Sequence, residues 1–68
     1  MPAQITLNGR PHQIAEPLPL LTLLAQLAVD RRLVAVAHNG EVVPRDRYDA
    51  ISLAGGDEVE IVRMVGGG

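Results

Sequence analysis

A run of glycine, Val65-Gly66-Gly67-Gly68, follows directly on the alternating stretch Glu58 to Met64. The residue types at this end point to chemistry at a main-chain carboxylate rather than at a side chain. Glycine lacks a Cβ and adopts almost any backbone angle, so Gly66 and Gly67 form a thin tether able to pass through a channel that would stop a larger residue. The α-carboxyl of Gly68 ionises at a pKa of roughly 3.3 to 3.7, so at neutral pH it is an anion that can attack phosphorus but resists nucleophiles. Activation must therefore come from outside the chain.

No other set of residues has the spacing of a catalytic centre. The two imidazoles, His12 and His38, stand beside turn sequences, with no partner spaced for a metal and no Ser or Cys placed as a nucleophile, and read as solvated turn residues. Gly55-Gly56 is a corner, because neither a helix nor a Lys follows it as in a phosphate loop. Asp57, Glu58 and Glu60 form an acidic cluster that suits either a cationic partner or a solvated edge. Arg45-Asp46-Arg47 suits either docking or local ion pairing, and Tyr48, the sole aromatic, reads as core filling. Arg63 and Met64 immediately precede the tail and, with Arg45, are the expected docking residues for partners.

Composition narrows the class further. With 68 residues there is room for one domain and one modest core. The expected division is a domain over residues 1–65 and a tail over residues 66–68. A net charge of -2 supplies no basic excess for a nucleic acid backbone, so nucleic acid is not an expected partner. The apolar stretch Leu18 to Val29 is shorter than the ~20 residues of a spanning helix, and no secretory leader pattern precedes it, so no membrane role and a cytoplasmic location are expected. The chain has no Cys and no Lys, its six basic residues all being Arg, which excludes disulfides, thiolate chemistry and lysine self-acylation.

Periodicity supplies the elements that must position the tail. Gln4 to Leu7 alternates as a half-buried strand, Asn8-Gly9 turns it, and His12 to Ile14 returns. From Leu18 to Ala28 the period changes, and Leu20, Leu23, Leu24 and Leu27 fall on one helical stripe, with Pro19 in the first turn. Leu33 to Ala37 reads as a strand buried on both faces, turned by His38 to Glu41 and returned by Glu41 to Val43. Pro44 to Tyr48 is a turn or short 3₁₀ segment, Ile51 and Leu53 enter the core, and the last strand is expected to be central and partly covered on both faces. The fold class is α+β, a mixed sheet of four to five strands with one packed helix.

Read this far, the sequence resembles the ThiS family of sulfur carriers in thiamine (thiazole) biosynthesis. The resemblance rests on Val34-Ala35-Val36-Ala37-His38-Asn39-Gly40-Glu41-Val42-Val43-Pro44-Arg45, on Gly56-Asp57-Glu58-Val59-Glu60-Ile61-Val62, and on Val65-Gly66-Gly67-Gly68. It implies a ubiquitin-like β-grasp fold and a non-enzymatic carrier with no bound cofactor. It also implies a cycle in which a ThiF-like adenylyltransferase uses ATP to adenylate Gly68, sulfur from a cysteine desulfurase or related donor gives a thiocarboxylate, and a ThiG-like thiazole synthase accepts the sulfur. Tyr48 stands where relatives often carry Trp, and Pro17-Leu18-Pro19 is a stiff lead into the helix. MoaD-like carriers of molybdopterin synthesis share the fold and the glycine end but tend to be longer, with Pro ahead of the glycines where this chain has Val62 to Val65. A protein modifier conjugated through Gly68 and an interaction domain with an inert tail are the other readings.

Overall fold

Two Asn-Gly pairs turn the two hairpins of the sheet, and both adopt the left-handed backbone of a type I′ turn: φ is 51° and 80° at Asn8 and Gly9, and 52° and 84° at Asn39 and Gly40. The computed structural model describes residues 2–64. Strand β1 (Pro2–Leu7) pairs antiparallel with β2 (Arg10–Ala15), and Pro11 lies on that edge strand, where its missing amide costs no ladder bond. Strand β4 (Val34–His38) pairs with β5 (Glu41–Val43), placing Val36 opposite Val43.

The Pro-Leu-Pro segment changes the start of the helix. A residue before proline is pushed out of the helical region, so Leu18 and Pro19 are extended and form β3 (Leu18–Pro19), which pairs with β6 (Ser52–Leu53) in a separate two-stranded sheet. Helix α1 therefore spans Leu20–Gln26, not Leu18 to Ala28, and Pro19 is its N-cap rather than part of its first turn. Instead of a capping side chain, the body of the fold accepts a donor of the first turn, as the Leu20 amide donates to the Ile51 carbonyl at 3.0 Å. At the other end Ala28 takes a left-handed φ of 57°, its amide donates to Ala25 and that of Val29 to Leu24, closing the helix in a Schellman-type turn.

Strand β7 (Glu58–Arg63) completes a five-stranded sheet ordered β2-β1-β7-β4-β5. It runs antiparallel to β4 from Val34 opposite Arg63 to His38 opposite Val59, and parallel to β1 only at Thr6 with Glu58 and Leu7 with Val59. Leu20, Leu23 and Leu24 pack on the inner sheet face of Ile5, Ile14, Val34, Val36, Val43 and Val59, while Leu27 and Ile61 lie partly buried at the margin. Tyr48, in the 3₁₀ segment Arg45–Ala50, is buried, and its hydroxyl donates to the Val34 carbonyl at 3.2 Å. One helix across one face of a mixed sheet is the ubiquitin-like β-grasp arrangement.

Among the described residues a single seven-residue α-helix covers one side of the sheet. The strands expected to be buried on both faces are thus covered on one, leaving Ala35 and Ala37 half-buried and Val62 exposed on the other. Leu33 is not part of β4. It belongs to the 3₁₀ turn Arg31–Leu33, where Asp30 caps the Arg32 amide at 2.9 Å, and it is largely exposed.

Candidate functional site

Strand β7 leads directly to the residues that sequence reading placed at the centre of function. Gly66, Gly67 and Gly68, with the domain boundary at residue 65, lie outside the described residues, whereas their attachment point is defined. Pairing with β4 holds β7 to its end, and the Met64 amide adds a bond of 2.8 Å to the Leu33 carbonyl. On the other flank, where the β1 ladder stops, Asn8 continues it with a side chain. Its Oδ1 accepts from the Ile61 amide at 2.7 Å and its Nδ2 donates to the Ile61 carbonyl at 3.2 Å. Asn39 holds the start of the strand, accepting from the Glu58 amide at 2.8 Å. The turn motifs were legible in sequence, but nothing there signalled that their side chains clamp the last strand.

Around the end of β7 the surface is apolar. The exposed large hydrophobic residues among those described are Leu33 (55%), Val42 (78%), Val62 (57%) and Met64 (52%). Val42 and Val62 flank Ala35 and Ala37 in a shallow depression of about 170 Å³ on the open sheet face. Leu33 and Met64 meet where β7 ends. A signal for this patch existed in the sequence, since Val62 and Met64 share the parity of Glu58 and Glu60. The break in alternation was read as burial, yet it marks exposed apolar residues.

Arginines border the same end. Arg63 and Met64, the expected docking residues, are exposed, and Arg45 lines a concavity of about 370 Å³ with Arg31, Arg32, Asp46 and Asp49. Arg32 is committed to Asp30 at 3.0 Å, and its guanidinium hydrogen bonds hold the Asp30 carboxyl down to about 2. Among the described residues no carboxylate pairs with Arg31, Arg45 or Arg63.

The histidines are not solvated turn residues. His12 lies half-buried within β2, and His38 ends β4 partly buried, its Nε2 at 2.9 Å from Asp57 Oδ2. An ionised carboxylate only accepts, so the His38 Nε2 carries the proton and donates. Asp57 also accepts from the Ala54 amide at 3.1 Å, and the His38 hydrogen bond, more than burial opposes, lowers its pKa. This unit ties the corner before β7 to the end of β4, and Asp57 is therefore structural, while Glu58 and Glu60 remain exposed. Among the described residues no group of His, Asp and Glu has the arrangement of a metal site, and no helix is long and apolar enough to cross a membrane.

The sequence profile of the ThiS family matches residues 5–68. The chain belongs to the ThiS family. The crystal structure of the thiamine biosynthesis protein ThiS from Geobacter metallireducens superposes with a TM-score of 0.82 at 40% identity, covering 96% of this chain and 99% of that one. The sulfur carrier protein ThiS of Bacillus subtilis is 39% identical over 46 residues, 68% of this chain and 70% of that protein. A thiazole synthase of Paramagnetospirillum magneticum is 37% identical over 65 residues, 96% of this chain and 20% of that protein. The chain thus spans about a fifth of the length of the thiazole synthases it matches.

Proposed function

We propose that this ThiS-family chain is a sulfur carrier for thiazole formation in thiamine biosynthesis, with the Gly68 carboxylate as the cargo-bearing group. One observation carries the reading: the family match runs through residue 68 and so includes the glycine end as well as the folded body. In the proposed cycle a Gly68 carboxylate oxygen attacks the α-phosphorus of ATP on a ThiF-like adenylyltransferase, and pyrophosphate leaves. The terminal persulfide sulfur of a cysteine desulfurase or related donor then attacks the acyl carbon and AMP leaves. A second thiol attacks the donor sulfur of the resulting acyl disulfide, which breaks the S–S bond, forms a donor disulfide and releases the thiocarboxylate. A ThiG-like thiazole synthase accepts that sulfur. The thiazole synthases that contain a segment similar to this chain support the last step, because a carrier and its acceptor joined in one polypeptide meet at high effective concentration.

In this cycle the chain is a co-substrate, not a catalyst, and the folded body serves to present the tail. Gly66 and Gly67 keep the tether thin, since a Cβ there would narrow the accessible backbone angles and misplace the acyl carbon by an ångström or so, which can cost on the order of a hundredfold in rate. The test is mass spectrometry of the terminus after incubation with adenylyltransferase, sulfur donor and ATP. Wild type is expected to exchange one oxygen for sulfur. Deletion of Gly68 or Gly67→Val is expected to abolish the exchange while leaving thermal unfolding unchanged, and exchange at a wild-type rate in either variant would refute the assignment.

A further inference from the structure

The point at which β7 stops being held decides how much chain lies between the folded body and the Gly68 carboxylate. When the strand is held through Met64, four residues follow it. Fully extended they span at most about 14 Å, at 3.3 to 3.6 Å each. If the strand peels back to Ile61, Val62, Arg63 and Met64 join them and the reach grows to about 25 Å. A strand end opens at little cost, because few bonds hold it. Two contacts oppose this in β7. On one flank the Met64 amide donates to the Leu33 carbonyl at 2.8 Å. On the other, pairing with β1 ends at Leu7 opposite Val59, and Asn8 turns away with a left-handed φ of 51°. Its own amide still donates to the Val59 carbonyl at 2.9 Å. Its carboxamide then stands in for the next residue of a strand, accepting from the Ile61 amide at 2.7 Å and donating to the Ile61 carbonyl at 3.2 Å. The hairpin does not need that contact to turn, since Asn39 makes the same turn with other partners, Glu58 and Asp57.

We propose that Asn8 is a positioning residue of the carrier reaction: through Ile61 it fixes where the tail leaves the body, and so the working length of the tether that delivers Gly68. The proposal rests on the sulfur-carrier reading and adds a residue far from the tail in sequence. A tether concentrates its far end best when its length matches the span to be bridged, and added slack dilutes it. An acyl carbon misplaced by an ångström or so loses on the order of a hundredfold in rate. Asn8 acts through Ile61 and not on the acyl carbon, so its loss falls on turnover and leaves the affinity of the enzyme for the folded body in place.

The test measures carrier-dependent pyrophosphate release by the adenylyltransferase at saturating ATP, separating kcat from the KM for the carrier. Asn8→Gly is compared with Asn39→Gly, the same substitution in the same kind of turn, which removes side-chain bonds at the opposite end of β7. Circular dichroism melting checks that both are folded at the assay temperature. The expected result is a kcat lowered about fivefold or more by Asn8→Gly with KM retained, and a change under about twofold from Asn39→Gly. Tail length supplies a readout that a loss of stability alone does not move. Deletion of Gly66 in wild type is expected to lower kcat on the order of a hundredfold. In the Asn8→Gly background the released strand supplies the missing length, so the same deletion is expected to cost at least about fivefold less. Should Asn8→Gly melt below the assay temperature, Asn8→Asp carries the comparison. It keeps the acceptor for the Ile61 amide, loses the donor to the Ile61 carbonyl, and is expected to show a smaller loss of kcat with KM again retained. Equal losses from the residue 8 and residue 39 variants, an effect confined to KM, or costs that simply multiply when the deletion is added would overturn the role of Asn8 while leaving the carrier reading intact. Absence of pyrophosphate release with wild type would sink both.

Discussion

Asp57 shows how one side chain in this domain can hold two elements and set a pH dependence. It accepts from His38 and from the Ala54 amide, and the His38 contact leads in lowering its pKa from the ordinary 3.8. A depressed carboxyl pKa means that the folded state binds the proton more weakly than the unfolded chain. The stabilisation is therefore fully present above the ordinary carboxylate range and is lost as pH falls through the lower, folded-state value. For Asp57→Asn, an amide of the same shape, the stability difference from wild type in urea unfolding is expected to be present above the ordinary carboxylate range and to shrink as pH falls below it. A difference that did not vary across that range would show that the His38 to Asp57 contact contributes nothing to folding.

At the scale of elements, the tail-bearing strand is held unequally on its two flanks. β4 pairs with it along its whole length, whereas β1 contributes two residue pairs and then hands over to the Asn8 side chain. Asn8→Gly keeps the left-handed backbone accessible and removes both bonds to Ile61, so the loss reports the clamp and not turn strain. Two hydrogen bonds of about 0.5 to 1.5 kcal/mol each predict a destabilisation of about 1 to 3 kcal/mol, toward the lower end at this exposed site. Amide exchange should accelerate at Ile61 more than at Val36, where no clamp acts. Uniform acceleration across the sheet would mean that Asn8 adds to global stability without holding the end of β7.

For the molecule as a whole, a small core on one face of the sheet has two consequences. Every buried leucine of the helix carries a large share of the stability, and the other face stays open for binding. Leu24 is almost fully buried among the inner residues of the sheet. Truncation to alanine is expected to cost about 2 to 5 kcal/mol through lost burial and a residual cavity, measured by denaturant unfolding. That is a large fraction of the ~5 to 15 kcal/mol available to a typical domain. A shift below half a kcal/mol would contradict the assigned core. The open face, by contrast, should tolerate Val42→Thr with little change in stability, since Val42 has no cover to lose.

The sequence by itself determined the local elements, because each was written in residues that act over short range. Asn8-Gly9 and Asn39-Gly40 demand positive φ and produced hairpins, the Leu20, Leu23 and Leu24 stripe produced the packed helix face, and Gly55-Gly56 produced the corner. The same short-range logic singled out the glycine end, which lies outside the described residues, and named Arg63 and Met64, which are exposed, as expected docking residues. What only the tertiary structure decided were relations between residues far apart in the chain. Leu18 pairs with Leu53, Asn8 reaches Ile61, and His38 meets Asp57, contacts that follow from how the strands are ordered and leave no period in the sequence. Burial of a sheet face was likewise undecidable locally. An apolar run such as Val34 to Ala37 looks the same whether one layer or two cover it, and the described residues hold one α-helix for two faces, so the uncovered side of Ala35, Val42 and Val62 became surface.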